Sequence, residues 1–148
     1  MEHPLDKKVI ILVEDNPDDE LLTIRALRKQ LGDCKIIIAR DGVEALDLIE
    51  RDFVKKESPD SLALILLDIK LPRLDGFGVL EKLRSQAYSR SIPVVIFTSS
   101  SEESDIQNSF QLGCNSFVRK PVNSDEFNEA VGKTAQYWMQ LNHLPARG

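Results

Sequence analysis

The sequence predicts an α/β fold, a doubly wound parallel sheet of five strands with helices on both faces. Five short apolar runs alternate with five segments of helical periodicity, the pattern of repeated βα units. The runs are continuous in Val, Ile and Leu rather than alternating, as expected of strands buried on both sides. The 148 residues, 42% hydrophobic and 29% charged, suit one globular domain and disfavour disordered, collagen-like and coiled-coil chains.

The first strand is predicted from Val9 to Val13. Asn16 with Pro17, Asp18 and Asp19 then reads as an N-cap, a first-turn proline and two carboxylates at the positive end of a helix dipole. That helix should run to about Leu31 and stop at Gly32. The second strand is Lys35 to Ala39, followed by Asp41-Gly42-Val43-Glu44 with capping-box spacing. A longer connection, about Lys55 to Ser61 around Ser58-Pro59-Asp60, precedes the third strand, Leu62 to Leu67. Gly76 and Gly113 read as turn glycines. The fourth strand is Pro93 to Phe97, and Ser99, Ser100 and Ser101 offer caps for a helix entering at Glu102 and Glu103. The fifth is Ser116 to Val118. Asn123-Ser124-Asp125-Glu126 then opens a last helix from Ser124 to about Leu141.

Several classes of function fall away on composition. The formal charge is −5 and no dense Lys/Arg run occurs, so direct DNA binding is not expected. The longest apolar run, Leu62 to Leu67, is far below the roughly 18 residues of a membrane span. The first six residues carry neither a basic nor an apolar signal segment, which makes the cytoplasm the expected compartment. Cys34 and Cys114 lack CxxC spacing and read as buried reduced thiols, and His3 and His143 as solvated.

In an open parallel sheet, ligands sit beyond the carboxyl ends of the strands. Glu14 and Asp15 follow the first strand, Asp68 the third, Thr98 the fourth and Lys120-Pro121 the fifth. If the first and third strands are neighbours, three carboxylates converge, and like charges that close require a compensating hard cation, for which Mg2+ is the expected ion. Asp68 directly follows Leu64-Ile65-Leu66-Leu67, where a carboxylate is costly unless the strand opens into a site. A divalent ion, a lysine and a threonine around one carboxylate suit a transferring phosphoryl group.

These residues fall in motifs that resemble the receiver domain of two-component response regulators. The motifs are Val9-Ile10-Ile11-Leu12-Val13-Glu14-Asp15-Asn16, Leu66-Leu67-Asp68-Ile69-Lys70-Leu71-Pro72 with Asp75-Gly76, Phe97-Thr98-Ser99, and Phe117-Val118-Arg119-Lys120-Pro121. The resemblance spans about residues 7–138 of what is expected to be a single domain over 1–148, and no attached output domain is expected. It implies a flavodoxin-like (βα)5 fold with strand order 2-1-3-4-5. By the same resemblance Asp68 is the phosphoacceptor, taking its phosphoryl group from a sensor histidine kinase. Asp15, Asp68 and the Lys70 backbone carbonyl would ligate Mg2+, with Glu14 acting through water. Lys120 would pair with the phosphoryl oxygens beside a cis bond to Pro121. Thr98 and Phe117 would form a two-state switch acting on the surface of the fourth helix, fifth strand and fifth helix, although Phe117 also suits a plain core aromatic. Lys70 and Ser100 would tune the lifetime of the phosphorylated state by crowding the attacking water. For Lys70 a merely solvated side chain is the competing reading.

Phe127, Val131, Thr134, Trp138 and Leu141 recur at helical spacing as a stripe on the last helix, with Tyr137, Met139 and Leu144 off it. This apolar end suggests a homodimer surface including Phe127, Tyr137, Trp138 and Leu141, against an intramolecular cap. The tail also resembles the single-domain regulators that pair with bacterial and cyanobacterial phytochromes. Two rival functions are weaker. A nucleotide-binding or phosphohydrolase protein would need a GxxxxGK[ST], GxGxxG or DxD motif, and none is present. A pseudo-receiver would lack part of the chemical set.

Overall fold

The computed structural model describes residues 8–54 and 61–145. Most of the predicted longer connection and His3 lie outside the described residues. The elements are β1 (Val9–Val13), α1 (Pro17–Leu31), β2 (Lys35–Ala39), α2 (Gly42–Ile49), β3 (Leu62–Leu67), α3 (Gly76–Arg84), β4 (Val94–Thr98), α4 (Glu103–Gln111), β5 (Ser116–Arg119) and α5 (Ser124–Gln136). All strand pairs are parallel and the order is β2-β1-β3-β4-β5. The protein therefore has the parallel sheet that the alternating pattern predicts and the flavodoxin-like strand order that the resemblance implies. Among the described residues no helix is long and apolar enough to cross a membrane.

Strand parity builds two cores. Ile10, Leu12, Leu64, Leu66, Val95 and Phe97 face α1 and α5, where they meet Ala26, Leu27, Phe127 and Val131. Ile11, Val13, Ile65, Leu67, Val94 and Ile96 face α2 and α3, meeting Leu48, Ile49, Val79, Leu80 and Leu83. Each such fully buried side chain contributes about 1.5–3 kcal/mol relative to exposure. The two outer strands depart from the prediction of burial on both sides: Ile36, Ile37 and Ile38 of β2 and Phe117 of β5 are only half-buried, because each strand has a neighbour on one edge alone. β4 starts one residue after the predicted Pro93, which has no N–H for the ladder but whose carbonyl accepts from the Ile65 N–H at 2.9 Å.

Helix entry follows the capping chemistry with two departures. The Asn16 side chain accepts from the Asp18 and Asp19 N–H groups at 2.9 and 3.0 Å. Asp41 accepts from Glu44, but the reciprocal Glu44 carboxylate takes the N–H of Arg40 rather than that of Asp41. Asn123 accepts from Asp125 and Glu126. The fourth helix is capped by none of the predicted serines. Its N-cap is Glu102, without a side-chain bond; the Ser100 hydroxyl donates to the Asp105 carboxylate at 2.6 Å while its oxygen accepts from the Glu102 N–H at 3.3 Å, ahead of the helix. Gly113, at φ +100°, is a turn glycine, whereas Gly76 is the first residue of α3. There a Cβ would lie 2.3 Å from the Asp68 carbonyl oxygen, so close approach of helix and strand end demands glycine.

The last helix is α-helical only to Gln136 and then widens into a π-helical turn, Tyr137–Leu141. The buried stripe accordingly runs through Phe127, Val131 and Ala135, with Trp138 and Met139 packed partly against the core, and Leu141 turns out to solvent. Phe127 is 3% exposed, edge-on to Phe97 at 5.1 Å between ring centroids. Its place on a partner surface is thus corrected: it is consumed by the core. Trp138 is half-buried beneath Tyr137, while Tyr137, Leu141 and Leu144 remain exposed.

Two expected outcomes follow from the packing. Arg84 ties α3 to the segments before β4 and β5: Nε donates to the Gly113 carbonyl at 2.8 Å, Nη1 to Ser89 and Ile92, and Nη2 to the Asn115 side chain at 2.9 Å. Arg84→Ala should lower unfolding free energy in urea titrations by about 2–4 kcal/mol, since it orphans several acceptors at once. Arg84→Lys, without the planar fork, should recover only part of the loss. Cys34 and Cys114 are buried and unbridged, and burial pushes the Cys114 thiol up to about 11 despite the nearby Arg84. Disulfide-exchange labelling of the folded protein at pH 8 should therefore be far slower than in denaturant and should rise as pH approaches 11.

Candidate functional site

Register puts the predicted acids together. Val13 stands opposite Leu67 and Ala39, so Glu14 and Asp68 leave adjacent strands side by side. Their backbones are fixed by the last rungs of the ladder: the Glu14 N–H donates to the Ala39 carbonyl at 2.9 Å, and the Asp68 N–H to Val13 at 3.1 Å. Across the sheet, the Lys120 N–H donates to the Thr98 carbonyl at 2.7 Å, which aims the lysine back over β3.

Lys120 is the hub. Its ammonium, 7% exposed as a residue, donates to Glu14 Oε1 at 2.5 Å, Asp68 Oδ2 at 2.9 Å and Asp19 Oδ2 at 2.9 Å. An ammonium has three N–H donors, and each has a carboxylate. The other Asp68 oxygen, Oδ1, accepts from the Ile69 N–H at 2.7 Å and, more loosely, from Lys70 at 3.4 Å. Asp68 is therefore held by both oxygens in one orientation. Burial acts to lower the Lys120 ammonium, but the charges of Asp68 and Glu14 outweigh it and hold the group above its ordinary value. Burial pushes the Glu14 carboxyl up to about 7, against the opposing pull of Lys120. The two tendencies conflict within one ion pair. The lysine's governs, because its charge sits among three carboxylates while Glu14 has one cation to answer desolvation.

Carboxylate oxygens of Glu14, Asp15 and Asp68 lie within 4.8 Å of one another. That span, and an all-oxygen donor set, fits one hard divalent cation. Asp15 is exposed, so the cluster opens to solvent on that side. Thr98 is fully buried at the end of β4, and its hydroxyl oxygen accepts from the Ser100 N–H at 3.5 Å. Ser100 is also buried, donating to Asp105 and accepting from the Glu102 N–H at 3.3 Å. Lys70 is exposed, and Phe117 is half-buried against the α2–α3 layer. The Lys120–Pro121 peptide is trans, not cis as the resemblance implies, since no cis bond occurs among the described residues. Lys120 reaches Asp68 with the chain extended in the ordinary isomer.

One residue of this constellation escapes the strand-end rule. Asp19 reads as a dipole-matched carboxylate in the first turn of α1, yet its side chain turns onto Lys120. The available signal is its spacing, one helical turn after Asp15 and locked there by the Asn16 cap.

Comparison with known proteins agrees with this geometry. The response regulator receiver domain family matches residues 10–132. Response regulator Rcp1 of Synechocystis sp. (strain ATCC 27184 / PCC 6803 / Kazusa) is 34% identical over 139 residues, covering 94% of both chains. The crystal structure of its Mn(2+)-bound form superposes with a TM-score of 0.84, covering 94% of this chain and 99% of that one. The phosphorylated cyanobacterial phytochrome response regulator RcpA gives 0.85 at 34% identity, with the same coverage. The bacteriophytochrome response regulator RtBRR is 44% identical with a TM-score of 0.71, covering 93% of this chain and 84% of that one. With an acid cluster at β1 and β3, a threonine ending β4 and a lysine after β5, the chain belongs to the response regulator receiver domain family.

Proposed function

We propose that this protein is a phosphorylation-dependent switch in which Asp68 accepts a phosphoryl group from a phosphohistidine of a sensor histidine kinase. The observation that carries the reading is the Asp68 carboxylate held between backbone N–H groups and the Lys120 ammonium, beside two further acids able to hold a cation. In the transfer, an Asp68 oxygen forms the new P–O bond as the P–N bond to histidine breaks. Lys120 keeps its protons and donates hydrogen bonds to the phosphoryl oxygens, and the Thr98 hydroxyl donates another from the end of β4. Asp15, Asp68 and the Lys70 carbonyl would hold Mg2+ directly and Glu14 through water. When bound, that ion offsets the charge gathering on the phosphoryl oxygens. Slow dephosphorylation follows when water attacks the same phosphorus, the bond from the Asp68 oxygen to phosphorus breaks, and inorganic phosphate leaves the restored carboxylate. Lys70, exposed two residues on, is placed to crowd that water, and Ser100 borders the same approach.

The switch would run from Thr98. Once its hydroxyl turns to a phosphoryl oxygen, the Ser100 N–H loses an acceptor, and Ser100 is bonded to Asp105 in the first turn of α4. Phe117 on β5 would follow, altering the α4–β5–α5 surface. The exposed Tyr137 and Leu141, with half-buried Trp138, support a homodimer through the end of the last helix. Exposed Leu21 and Val122 offer apolar contacts near the site for a docking kinase. Similarity to the phytochrome response regulator RcpA and the bacteriophytochrome response regulator RtBRR supports a kinase of the phytochrome type, and a cytoplasmic setting accords with it.

Incubation with acetyl phosphate and Mg2+ should add one phosphoryl group by mass to the wild type and none to Asp68→Asn, with the association state changing only in the former. Equal labelling of both would overturn the reading. Lys70→Asn should shorten the lifetime of the adduct by about two- to fivefold, the scale of one exposed ion pair. An unchanged or longer lifetime would remove Lys70 from the tuning role.

A further inference from the structure

Lys120 spends all three donors before any phosphoryl group arrives. One acceptor must therefore give way when a phosphoryl oxygen takes its place. Glu14 and Asp68 are poor candidates, since their side chains are 2% and 10% exposed and neither would recover water on release. Asp19 is different: its side chain is 28% exposed and recovers water on release. It also lies outside the trio of carboxylates close enough to share a cation. Its position is imposed from its own helix, where Asn16 caps the Asp19 N–H and the Thr23 hydroxyl donates to the Asp19 carbonyl at 2.7 Å.

From this geometry we propose that Asp19 is a positioning residue for phosphoryl transfer: it occupies one N–H of Lys120 in the resting protein and surrenders it to the incoming phosphoryl group. It acts on the reaction through Lys120 and touches neither the phosphorus nor the cation. Its carboxylate sets a barrier, because a dianionic donor must displace it from the ammonium and approach its charge. The inference rests on Asp68 being the phosphoacceptor. In the test reaction an Asp68 oxygen bonds to phosphorus, the P–O bond of acetyl phosphate breaks, and acetate leaves with that electron pair.

The experiment measures the rate of labelling by acetyl phosphate at saturating Mg2+ for the wild type, Asp19→Asn, Asp19→Ala and Asp18→Asn. Asp18 is a matched control, exposed in the same helical turn and equally favourable to the dipole, but away from Lys120. Both Asp19 variants should label faster, by about two- to fivefold for a partly exposed ion pair, and Asp18→Asn should match the wild type. In a Lys120→Met background, Asp19→Asn should change nothing. A second readout needs neither metal nor turnover: the side-chain resonances of Lys120 in metal-free protein should shift with Asp19→Asn and not with Asp18→Asn. Unchanged or slower labelling in the Asp19 variants, an acceleration that persists without Lys120, or an unmoved Lys120 resonance would overturn the proposal. Failure of the wild type to label, or labelling of Asp68→Asn, would instead strike the phosphoacceptor reading beneath it.

Discussion

A single buried ammonium sets the terms for the rest of the molecule. Four carboxylates, Glu14, Asp15, Asp19 and Asp68, gather at one end of the sheet, and two of them are nearly excluded from water. Without Lys120 their mutual repulsion and desolvation would have no internal answer. With it the cluster still carries excess negative charge. That excess suits the pocket to a hard cation at Asp15 and, in the function proposed above, to a phosphoryl group. Neutralisation by Lys120 alone is partial.

The fold supplies this arrangement through parallel pairing. Placing β1 between β2 and β3 makes the ends of β1 and β3 neighbours, and β4 next to β5 brings Lys120 in from the far side. Phe127 reaches from α5 to the ring of Phe97, which lies 5.8 Å from the Lys120 ammonium. The lysine is thus backed by an aromatic layer, with its three carboxylate partners in front of it. The same register closes β3 against Gly76, so any side chain there would push α3 away from the Asp68 backbone.

Most of this was legible from residue order because it depends on local signals. Apolar runs of three to six residues gave strands to within one residue. The caps at Asn16, Asp41 and Asn123 gave helix starts, and polar residues directly after each strand gave Glu14, Asp15, Asp68, Thr98 and Lys120. What was not legible depends on tertiary choices among equivalent local options. Ser100 could have capped α4, but its hydroxyl is drawn to Asp105. Leu141 continues the helical stripe in sequence, but a π-helical turn rotates it outward and turns Met139 inward. Asp19 satisfies the helix dipole as well as Asp18 does, and only the position of a residue 101 places away distinguishes them.

The same contrast between deep and shallow anchoring bears on where a signal could leave the site. α1 buries Thr23, Ala26, Leu27 and Leu31, and α5 buries Phe127, Val131 and Ala135, whereas α4 buries only Ser109. The Ser109 hydroxyl is spent within its own helix, on the Asp105 carbonyl at 2.7 Å. Little apolar burial therefore resists movement of α4, and local stability follows that burial. Yet α4 is the helix bonded, through Asp105 and Ser100, to the segment following Thr98. Exchanging one hydrogen bond at Thr98 is worth about 1 kcal/mol, too little to displace α1 or α5 but enough to shift a weakly held helix several-fold between two positions. If Asp68 is phosphorylated as proposed, the response should appear first at α4, where the least packing energy opposes it.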